Sequence, residues 1–242
     1  KKIYEERKLS AADAVKLIKS GDRVILGHCI SEPTVLVDAM VDNAKAYRNV
    51  TIAHMVSLGN GNYTKPEYKD NFRFEGFFCG AGTRTAVAEG HGDLIPVYFY
   101  ELPIWIREGI LNYDVCMVMM SPPDERGYCN IGVESGYTFQ AIKSAKTVIA
   151  QINRNVPTVF GDTFIHVNDI DAFVEADMPL NEQAPSKIGE VETAIARNCA
   201  SLIEDGATLQ LGIGAIPDAV LAELKNKKHL GIHSEMIADG VI

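Results

Sequence analysis

The stretch "LIKSGDRVILG", residues 17–27, indicates the fold, because its pattern returns at residues 202–212 as "LIEDGATLQLG". Each copy joins the end of a helix to a glycine, an apolar strand and a second glycine. A shift of 185 residues, 202 minus 17, aligns these glycines, and after a one-residue gap Pro33 falls on Pro217. The repeat predicts two related domains in tandem, each begun by a helix, a strand, a glycine turn and a second helix.

Strands and helices alternate around the first copy. Ser10 is placed to cap a helix over residues 11–20, and a second helix is predicted to begin at Pro33. Four apolar runs are predicted as strands, at residues 22–27, 49–57, 113–120 and 146–152. Near-continuous apolar strands separated by helices are typical of a parallel sheet that is buried on both faces. The sequence therefore predicts the α/β class, with tandem related open α/β domains and mostly parallel sheets.

The border between the two domains is predicted in the polar segment "DMPLNEQAPSKIGE" (177–190), which has little apolar periodicity. We assign residues 1–180 to an N-terminal α/β domain and residues 186–242 to the start of a second α/β domain. Because residues 186–242 are too few to complete a second sheet of this kind, we expect the remainder of that domain to lie outside this sequence.

Composition argues against several classes of function. The net charge is −9 and no long basic cluster is present, so nucleic acid is not an expected partner. No apolar run approaches the roughly 18 residues that span a bilayer, and the start lacks the apolar core of a signal peptide, so we expect a cytoplasmic protein without membrane contact. The five cysteines form no CxxC pair, which argues against a disulfide framework. His229 and His233 are four residues apart, but Gly231 separates them in a predicted loop, and no metal site is expected.

A glycine-rich turn follows the strand of the second copy. It consists of Gly212, Ile213, Gly214, Ala215 and Ile216. The glycines let a ligand approach the backbone, and the N–H groups that open the next helix can bind an anion or an oxyanion. The alternative is a tight turn that serves only packing. A dinucleotide site is disfavoured, because Pro217 replaces the third glycine of that fingerprint and no acidic strand end follows at the expected distance.

A carboxylate is predicted at the same edge of the sheet. Glu235 ends the short predicted strand "LGIHSE" (230–235), and ligand groups gather where the carboxyl ends of parallel strands meet. The glycine turn and Glu235 should therefore follow consecutive strands. A donor loop that faces a carboxylate suits covalent catalysis with oxyanion stabilisation. The alternative is a strand-end glutamate that points to solvent.

Several segments together resemble the family I coenzyme A transferases, in the group of 4-hydroxybutyrate CoA-transferase, butyryl-CoA:acetate CoA-transferase and acetyl-CoA hydrolase/transferase. The most specific are "GIGAIPDAVL" (212–221) and "GIHSEM" (231–236). The resemblance extends over nearly the whole chain through "FFCGAGTR" (77–84), "SPPDERGYCNIG" (121–132) and "GDTFIHVNDID" (161–171). It implies the NagB/RpiA/CoA-transferase-like fold.

The resemblance also implies an enzyme that moves CoA between short-chain carboxylic acids, such as 4-hydroxybutyrate or butyrate and acetate, in a ping-pong cycle. Glu235 would attack the acyl-CoA carbonyl and then carry CoA as a glutamyl thioester, while the turn from Gly212 to Ile216 would contact CoA. Coenzyme A and acyl-CoA would be substrates, with no permanently bound cofactor. The family further implies a homo-oligomer, a dimer or a tetramer.

The N-terminal copy is expected to shape the acyl pocket. Its segment "LGHCISEP" (26–33) stands in the place of "LGIGAIP" and lacks the second glycine. The candidate pocket residues are Ser31, Ser121 and Asp124, and the alternative for the last two is a Pro-rich turn with solvated charges.

Two rival functions stay open at this point. One is an acyl-CoA hydrolase that uses the same glutamate, and the other is a non-catalytic CoA-binding module. The sequence does not distinguish between the acyl groups.

Overall fold

The computed structural model describes residues 2–182 and 184–242, and the chain divides into two units at residues 181 and 182. The strands of the first unit, in chain order, are β1 (Arg23–Leu26), β2 (Val50–His54), β3 (Phe72–Gly76), β4 (Gly92–Leu94), β5 (Val115–Met120), β6 (Tyr128–Asn130), β7 (Thr147–Ile152), β8 (Phe164–His166) and β9 (Ala172–Glu175). Its α-helices are α1 (Lys2–Glu6), α2 (Ala11–Ala14), α3 (Thr34–Asp42), α4 (Arg84–Ala88), α5 (Leu102–Arg107) and α6 (Thr138–Ser144).

Seven of these strands form one parallel sheet in the order β4-β3-β2-β1-β5-β7-β9. The remaining two, β6 and β8, form a separate antiparallel pair. The four predicted apolar strands are β1, β2, β5 and β7, and all four lie in the parallel sheet. The predicted α/β class with mostly parallel strands is therefore confirmed.

The sheet is buried on both faces, which explains why its strands are apolar at nearly every position. Side chains alternate between the faces along a strand. In β1, Ile25 packs into one apolar cluster, while Val24 and Leu26 pack into another. In β5, Cys116 joins the first cluster and Met117 the second. A strand with one solvated face would instead show a polar residue at every second position.

Helix boundaries differ from the predictions by small amounts. Ser10 caps α2, since its side chain accepts a hydrogen bond from Asp13 N–H at 3.1 Å, as the sequence predicted. The predicted helix over residues 11–20 is shorter, because the chain tightens into a 3₁₀ turn at Val15–Leu17 and then leaves the helical conformation at Ile18. Pro33 precedes α3 as its cap rather than beginning it.

The second unit contains α7 (Glu190–Ser201), β10 (Thr208–Leu209), α8 (Ala215–Glu223) and β11 (Gly231–Ile232). The two strands are parallel and paired. A small apolar cluster joins the two helices through Ala196, Ala200, Ala219, Val220 and Leu224. Several large apolar side chains of the unit stay exposed, among them Leu202 at 84% and Val191 at 67%.

Local structure repeats where the sequence repeats. In the first unit, Gly21 has a φ of +84° and donates its N–H to the Arg48 carbonyl at 2.9 Å. In the second unit, Gly206 has a φ of +80° and donates to the Lys228 carbonyl at 2.8 Å. Each glycine thus makes the same left-handed turn into the first strand of its unit. The structure supports the interpretation that the second unit begins as a copy of the first.

Candidate active site

Paired strands position the predicted catalytic segment of the second unit. Thr208 of β10 lies opposite Gly231 of β11, and Leu209 lies opposite Ile232. The glycine turn follows β10 and Glu235 follows β11, so both emerge at the carboxyl ends of neighbouring parallel strands. The structure thus agrees with the predicted strand arrangement, and the chemical roles of these residues stay a prediction.

Ser234 links the two segments beyond the short ladder. Its hydroxyl donates to the Leu211 carbonyl at 2.8 Å and accepts a hydrogen bond from Leu211 N–H at 3.1 Å. A side chain therefore replaces the ladder at this position, which explains why β11 ends at Ile232 and not at residue 235 as predicted. Because Leu211 precedes Gly212 and Ser234 precedes Glu235, this Ser234–Leu211 link joins the chain just before the turn to the chain just before the carboxylate.

Gly214 makes the turn possible. Its φ of 117° and ψ of −177° lie in a region that is essentially restricted to glycine, and the residue caps the N-terminus of α8. Gly212 is less constrained, since a Cβ there would meet only the Pro217 ring, at 3.7 Å. The first N–H of α8 that bonds within the turn is that of Asp218, which donates to the Gly214 carbonyl at 3.1 Å.

The N–H groups of Ala215 and Ile216 precede that bond and have no intrahelical acceptor, as at any helix start. They are therefore available to a negatively charged oxygen. Pro217 contributes no donor. Asp218, which the sequence interpretation missed, places a carboxylate in the first turn, and its buried Oδ1 has no hydrogen-bond partner within the described residues. This charge weakens the positive potential of the helix start, so that anion binding there depends on directed N–H groups.

Glu235 itself is exposed. Within residues 2–182 and 184–242 its carboxylate has neither a hydrogen bond nor an ion pair, and so its oxygens are not engaged in holding the fold. Two apolar side chains of the turn are also exposed, those of Ile213 at 53% and Ile216 at 44%.

The structure brings two of the predicted pocket residues of the first unit to one segment. Ser31 is buried and its hydroxyl donates to the Ile131 carbonyl at 3.4 Å. Ser121 is also buried, and its hydroxyl accepts a hydrogen bond from Asn130 N–H at 3.0 Å. The two serines therefore contact successive residues, the last residue of β6 and the residue that follows it. Both hydroxyls have structural partners, and their role in an acyl pocket stays a prediction.

Asp124 occupies a different place. It is exposed, and its carboxylate accepts hydrogen bonds from Arg126 N–H at 2.9 Å and from Tyr128 N–H at 2.8 Å. These backbone bonds lower the pKa of Asp124 and hold the turn that leads into β6. Asp124 and Arg154 also line a cleft of about 390 Å³. Neither of the two predicted pocket serines lines this cleft. The geometry favours the turn interpretation for this residue.

A buried polar cluster lies at the carboxyl end of β1, and the sequence interpretation did not single it out. His28 Nε2 lies 2.9 Å from Glu134 Oε1, and both side chains are more than nine-tenths buried. The contact has the distance of an ion pair, but its orientation falls short of a directed hydrogen bond. The Thr138 hydroxyl donates to the other carboxylate oxygen, and the imidazole stacks on Tyr137 with ring centroids 4.8 Å apart. A histidine directly after an apolar strand was the only sequence signal for this cluster.

A second buried carboxylate holds the loop after β2. Glu32 accepts hydrogen bonds from Ser57 Oγ, Leu58 N–H and Gly59 N–H at 2.9, 2.8 and 2.9 Å. Burial raises the pKa of Glu32, although the three donors oppose that change. A Cβ at Gly59 would lie 2.7 Å from the carboxylate, so that the loop needs a glycine there.

Residues 2–182 and 184–242 contain neither a metal-binding cluster nor a membrane-spanning helix. No group of three or more His, Cys, Asp or Glu side chains is arranged to hold a metal ion. In the same part of the chain, no helix has both the length and the apolar character needed to cross a bilayer.

Comparison with known proteins adds independent evidence. The acetyl-CoA hydrolase/transferase N-terminal domain family matches residues 1–181. The chain is 53% identical over 240 residues to the 4-hydroxybutyrate coenzyme A transferase of Clostridium kluyveri, covering 99% of this chain and 56% of that protein.

Solved structures agree with this relationship. The crystal structure of 4-hydroxybutyrate CoA-transferase from Porphyromonas gingivalis superposes with a TM-score of 0.87 at 36% identity, covering 99% of this chain and 57% of that one. RipA from Yersinia pestis superposes with a TM-score of 0.92 at 29% identity, over 99% and 58% of the two chains. The chain thus spans a little more than half the length of these relatives. The family match and the strand arrangement together show that the chain belongs to the acetyl-CoA hydrolase/transferase family.

Proposed function

We propose that this chain carries the nucleophile of a CoA-transferase that moves CoA between short-chain carboxylic acids. The observation that supports the proposal is the Ser234–Leu211 link, which joins the residue before the exposed Glu235 to the residue before a glycine turn with N–H donors. The names of the relatives support the reaction class, since the C. kluyveri protein is named a CoA transferase for 4-hydroxybutyrate. CoA and acyl-CoA would be the substrates, and the reaction needs no permanently bound cofactor.

In the proposed first step, a Glu235 oxygen forms a bond to the thioester carbonyl carbon, and the carbonyl oxygen becomes an oxyanion. Backbone N–H groups at Ala215 and Ile216 are the candidate donors to that charge. The carbon–sulfur bond then breaks, which gives a mixed anhydride and CoA thiolate. The thiolate attacks the glutamyl carbonyl, so that the first acid leaves as a carboxylate and CoA stays on Glu235 as a thioester.

A carboxylate acceptor then reverses the two steps. It attacks the glutamyl thioester to form a second anhydride, and the released CoA thiolate attacks the acyl carbonyl of that anhydride. Atoms and charge balance over the cycle, because one acyl-CoA and one carboxylate exchange partners. The proposed enzyme acts in the cytoplasm as a homo-oligomer, a dimer or a tetramer, and light scattering on the purified protein tests the assembly.

The test of the nucleophile is chemical trapping in the protein of full natural length. Incubation with butyryl-CoA and then borohydride should reduce a thioester at residue 235 to an alcohol, which mass spectrometry detects on the peptide that contains Glu235. Glu235→Gln should abolish the label and lower transfer on the order of 10³-fold or more. Glu204→Gln, which changes an exposed glutamate of the same unit, should alter neither. An active wild-type enzyme without the label would refute the assignment.

Hydrolysis of acyl-CoA is the second candidate, because the matching family includes acetyl-CoA hydrolases by name. The same glutamyl intermediate would then be attacked by water. Adding acetate separates the two functions. A transferase consumes butyryl-CoA only when acetate is present and forms an equal amount of acetyl-CoA, whereas a hydrolase releases free CoA without acetate. A non-catalytic CoA-binding module would do neither.

A further inference from the structure

Three chemically complementary groups line up at the carboxyl end of β1. Cys29 Sγ lies 3.1 Å from His28 Nδ1, and Nε2 of the same imidazole lies 2.9 Å from Glu134 Oε1. The order is thiol, imidazole, carboxylate. In this order the imidazole can take the proton of the thiol, while the nearby carboxylate stabilises the charged form of the imidazole.

An unusual backbone conformation makes this contact between adjacent residues possible. Successive side chains of an extended strand point in opposite directions, so a histidine and the following cysteine would normally diverge. Cys29 instead has a φ of +53°, in the left-handed region that non-glycine residues rarely adopt. Its N–H donates to the Val56 carbonyl at 2.8 Å, which holds this conformation.

The thiol is less buried than the imidazole and the carboxylate, and a reactive thiol has to be partly exposed. The side chains of His28 and Glu134 are only 6% and 8% exposed, whereas Cys29 is half-buried. The imidazole is also fixed between rings, stacked on Tyr137 and edge-on to Phe99 with centroids 4.8 and 5.8 Å apart. The base and the carboxylate are thus buried, and Cys29 is the member of the three with more exposed surface.

The neighbours of His28 favour its charged form over the neutral imidazole. Burial alone lowers the pKa of His28, but the contacts with Cys29 and Glu134 raise it to about 9. The imidazole lies 3.1 Å from the Cys29 sulfur, within reach to accept a proton when the thiol reacts. Three other ionisable groups act on the cluster, and burial keeps them neutral, since it lowers the pKa of His54 to about 3 and raises the pKa values of Cys116 and Tyr137 far above their usual ranges.

We propose that Cys29 is a second nucleophile of this protein, an activated thiol that accepts acyl groups from thioesters. The thiol proton moves to the imidazole, and the thiolate sulfur forms a bond to the carbonyl carbon. The bond from that carbon to the donor sulfur then breaks, and the donor thiolate leaves with the proton of the imidazolium. The products are S-acylated Cys29 and a free thiol. The supply of acyl-CoA rests on the proposed function, whereas the reactivity of the thiol does not.

Alkylation tests the reactivity without any CoA ester. The protein of full natural length is treated with limiting iodoacetamide at pH 7, and peptide mapping gives a rate for each cysteine. Cys79 and Cys199 are internal controls, because they are half-buried like Cys29. We expect Cys29 to react at least about tenfold faster than either. Equal rates would overturn the proposal, and this comparison needs no variant.

A substitution then identifies the activating groups. Glu134→Gln keeps the size of the side chain and removes its charge, so it should slow alkylation of Cys29 about tenfold and leave Cys79 and Cys199 unchanged. The buried Cys116 and Cys129 should stay unreactive, which shows that the variant is folded. If the rate at Cys29 does not change in a folded variant, the activation by this cluster is refuted.

Acylation is measured in the Glu235→Gln background, where the proposed glutamyl route is closed. Incubation with butyryl-CoA should add one butyryl group to Cys29, hydroxylamine should remove it, and Cys29→Ser should prevent it. A fast-alkylating Cys29 that takes no butyryl group would refute the acyl transfer. That outcome leaves the role of Glu235 untouched, because trapping at Glu235 is a separate measurement.

Discussion

The buried pair of His28 and Glu134 should make the stability of the first unit depend on pH between about 6.5 and 9.5. The pKa of His28 is raised from 6.5 to about 9 in the folded chain. A histidine with a raised pKa stabilises the fold fully below its unfolded pKa, and this contribution is lost as pH rises through the folded pKa. A pKa difference of one corresponds to about 1.4 kcal/mol. The contribution of His28 to the free energy of unfolding should therefore fall by about 3 kcal/mol between pH 6.5 and pH 9.5.

The perturbation is Glu134→Gln, which removes the negative charge and keeps a hydrogen-bonding partner for Thr138. Urea unfolding at several pH values gives the free energy of unfolding, and the fluorescence of Trp105, the single tryptophan, reports on the first unit. Trp105 packs against the apolar cluster that contains Tyr137, so its signal follows the environment of the pair. The free energy of unfolding of wild type should exceed that of the variant by up to about 3 kcal/mol more at pH 6.5 than at pH 9.5, because the variant loses the Glu134 contact and keeps the Cys29 contact.

Asp169→Asn provides a matched control, because Asp169 pairs with Lys143 at 2.8 Å on the surface. Exposed pairs contribute about 0–1 kcal/mol, and this one should show no dependence on pH in the same window. Comparing wild type with Glu134→Gln also cancels the ionisation of unfolded cysteines near pH 9. A difference between the two proteins that stays constant from pH 6.5 to 9.5 would refute the raised pKa of His28 and with it the ion pair.

Three substitutions test the other structural arguments. Gly214→Ala should destabilise the second unit by about 1–3 kcal/mol and abolish transfer, since φ is +117° there, whereas Gly212→Ala should cost much less; thermal unfolding and transfer rates check both. Ser234→Ala should remove both hydrogen bonds to Leu211 and free the segment that carries Glu235, while the contacts with CoA remain. In steady-state kinetics kcat should therefore fall by a larger factor than KM rises. An unchanged kcat would mean that the link has no role in transfer. Gly59→Ala should lower the melting temperature, because its methyl group would lie 2.7 Å from the buried glutamate below the loop; an unchanged temperature would mean that the loop shifts freely.

Much of the sheet could be predicted because the information is local. The apolar runs that became β1, β2, β5 and β7 are long enough to exclude a solvated face, and this indicated a parallel sheet. The capping role of Ser10 was also predictable, because it depends on residues within one turn. The glycine turn and Glu235 could be assigned to neighbouring strands because a strand, a helix and a second strand follow one another without interruption.

The polar cluster could not be predicted because its partners are far apart in the chain. Glu134 lies 106 residues after His28, 134 minus 28, and the two meet only through the packing of the first unit. Short elements were missed for a different reason. β11 ends early because the Ser234 hydroxyl takes over bonds that a backbone would make, and no period in the sequence reveals such a replacement. The burial of Ser31 and Ser121 likewise depends on a neighbouring segment, at Asn130 and Ile131.

The two repeats carry different residues at one position where the backbone φ is positive. Counted from the shared Leu-Gly, Cys29 in the first unit stands where Gly214 stands in the second, and both have positive φ, +53° and +117°. A positive φ favours glycine at this position, which the second unit has, whereas the first unit has a cysteine there at a cost of about 1 kcal/mol. Duplication can thus separate a turn from its original residue. The second unit has Gly214 at this position and leaves its backbone uncovered by a side chain. The first unit has Cys29 there, which adds a thiol and strains the backbone.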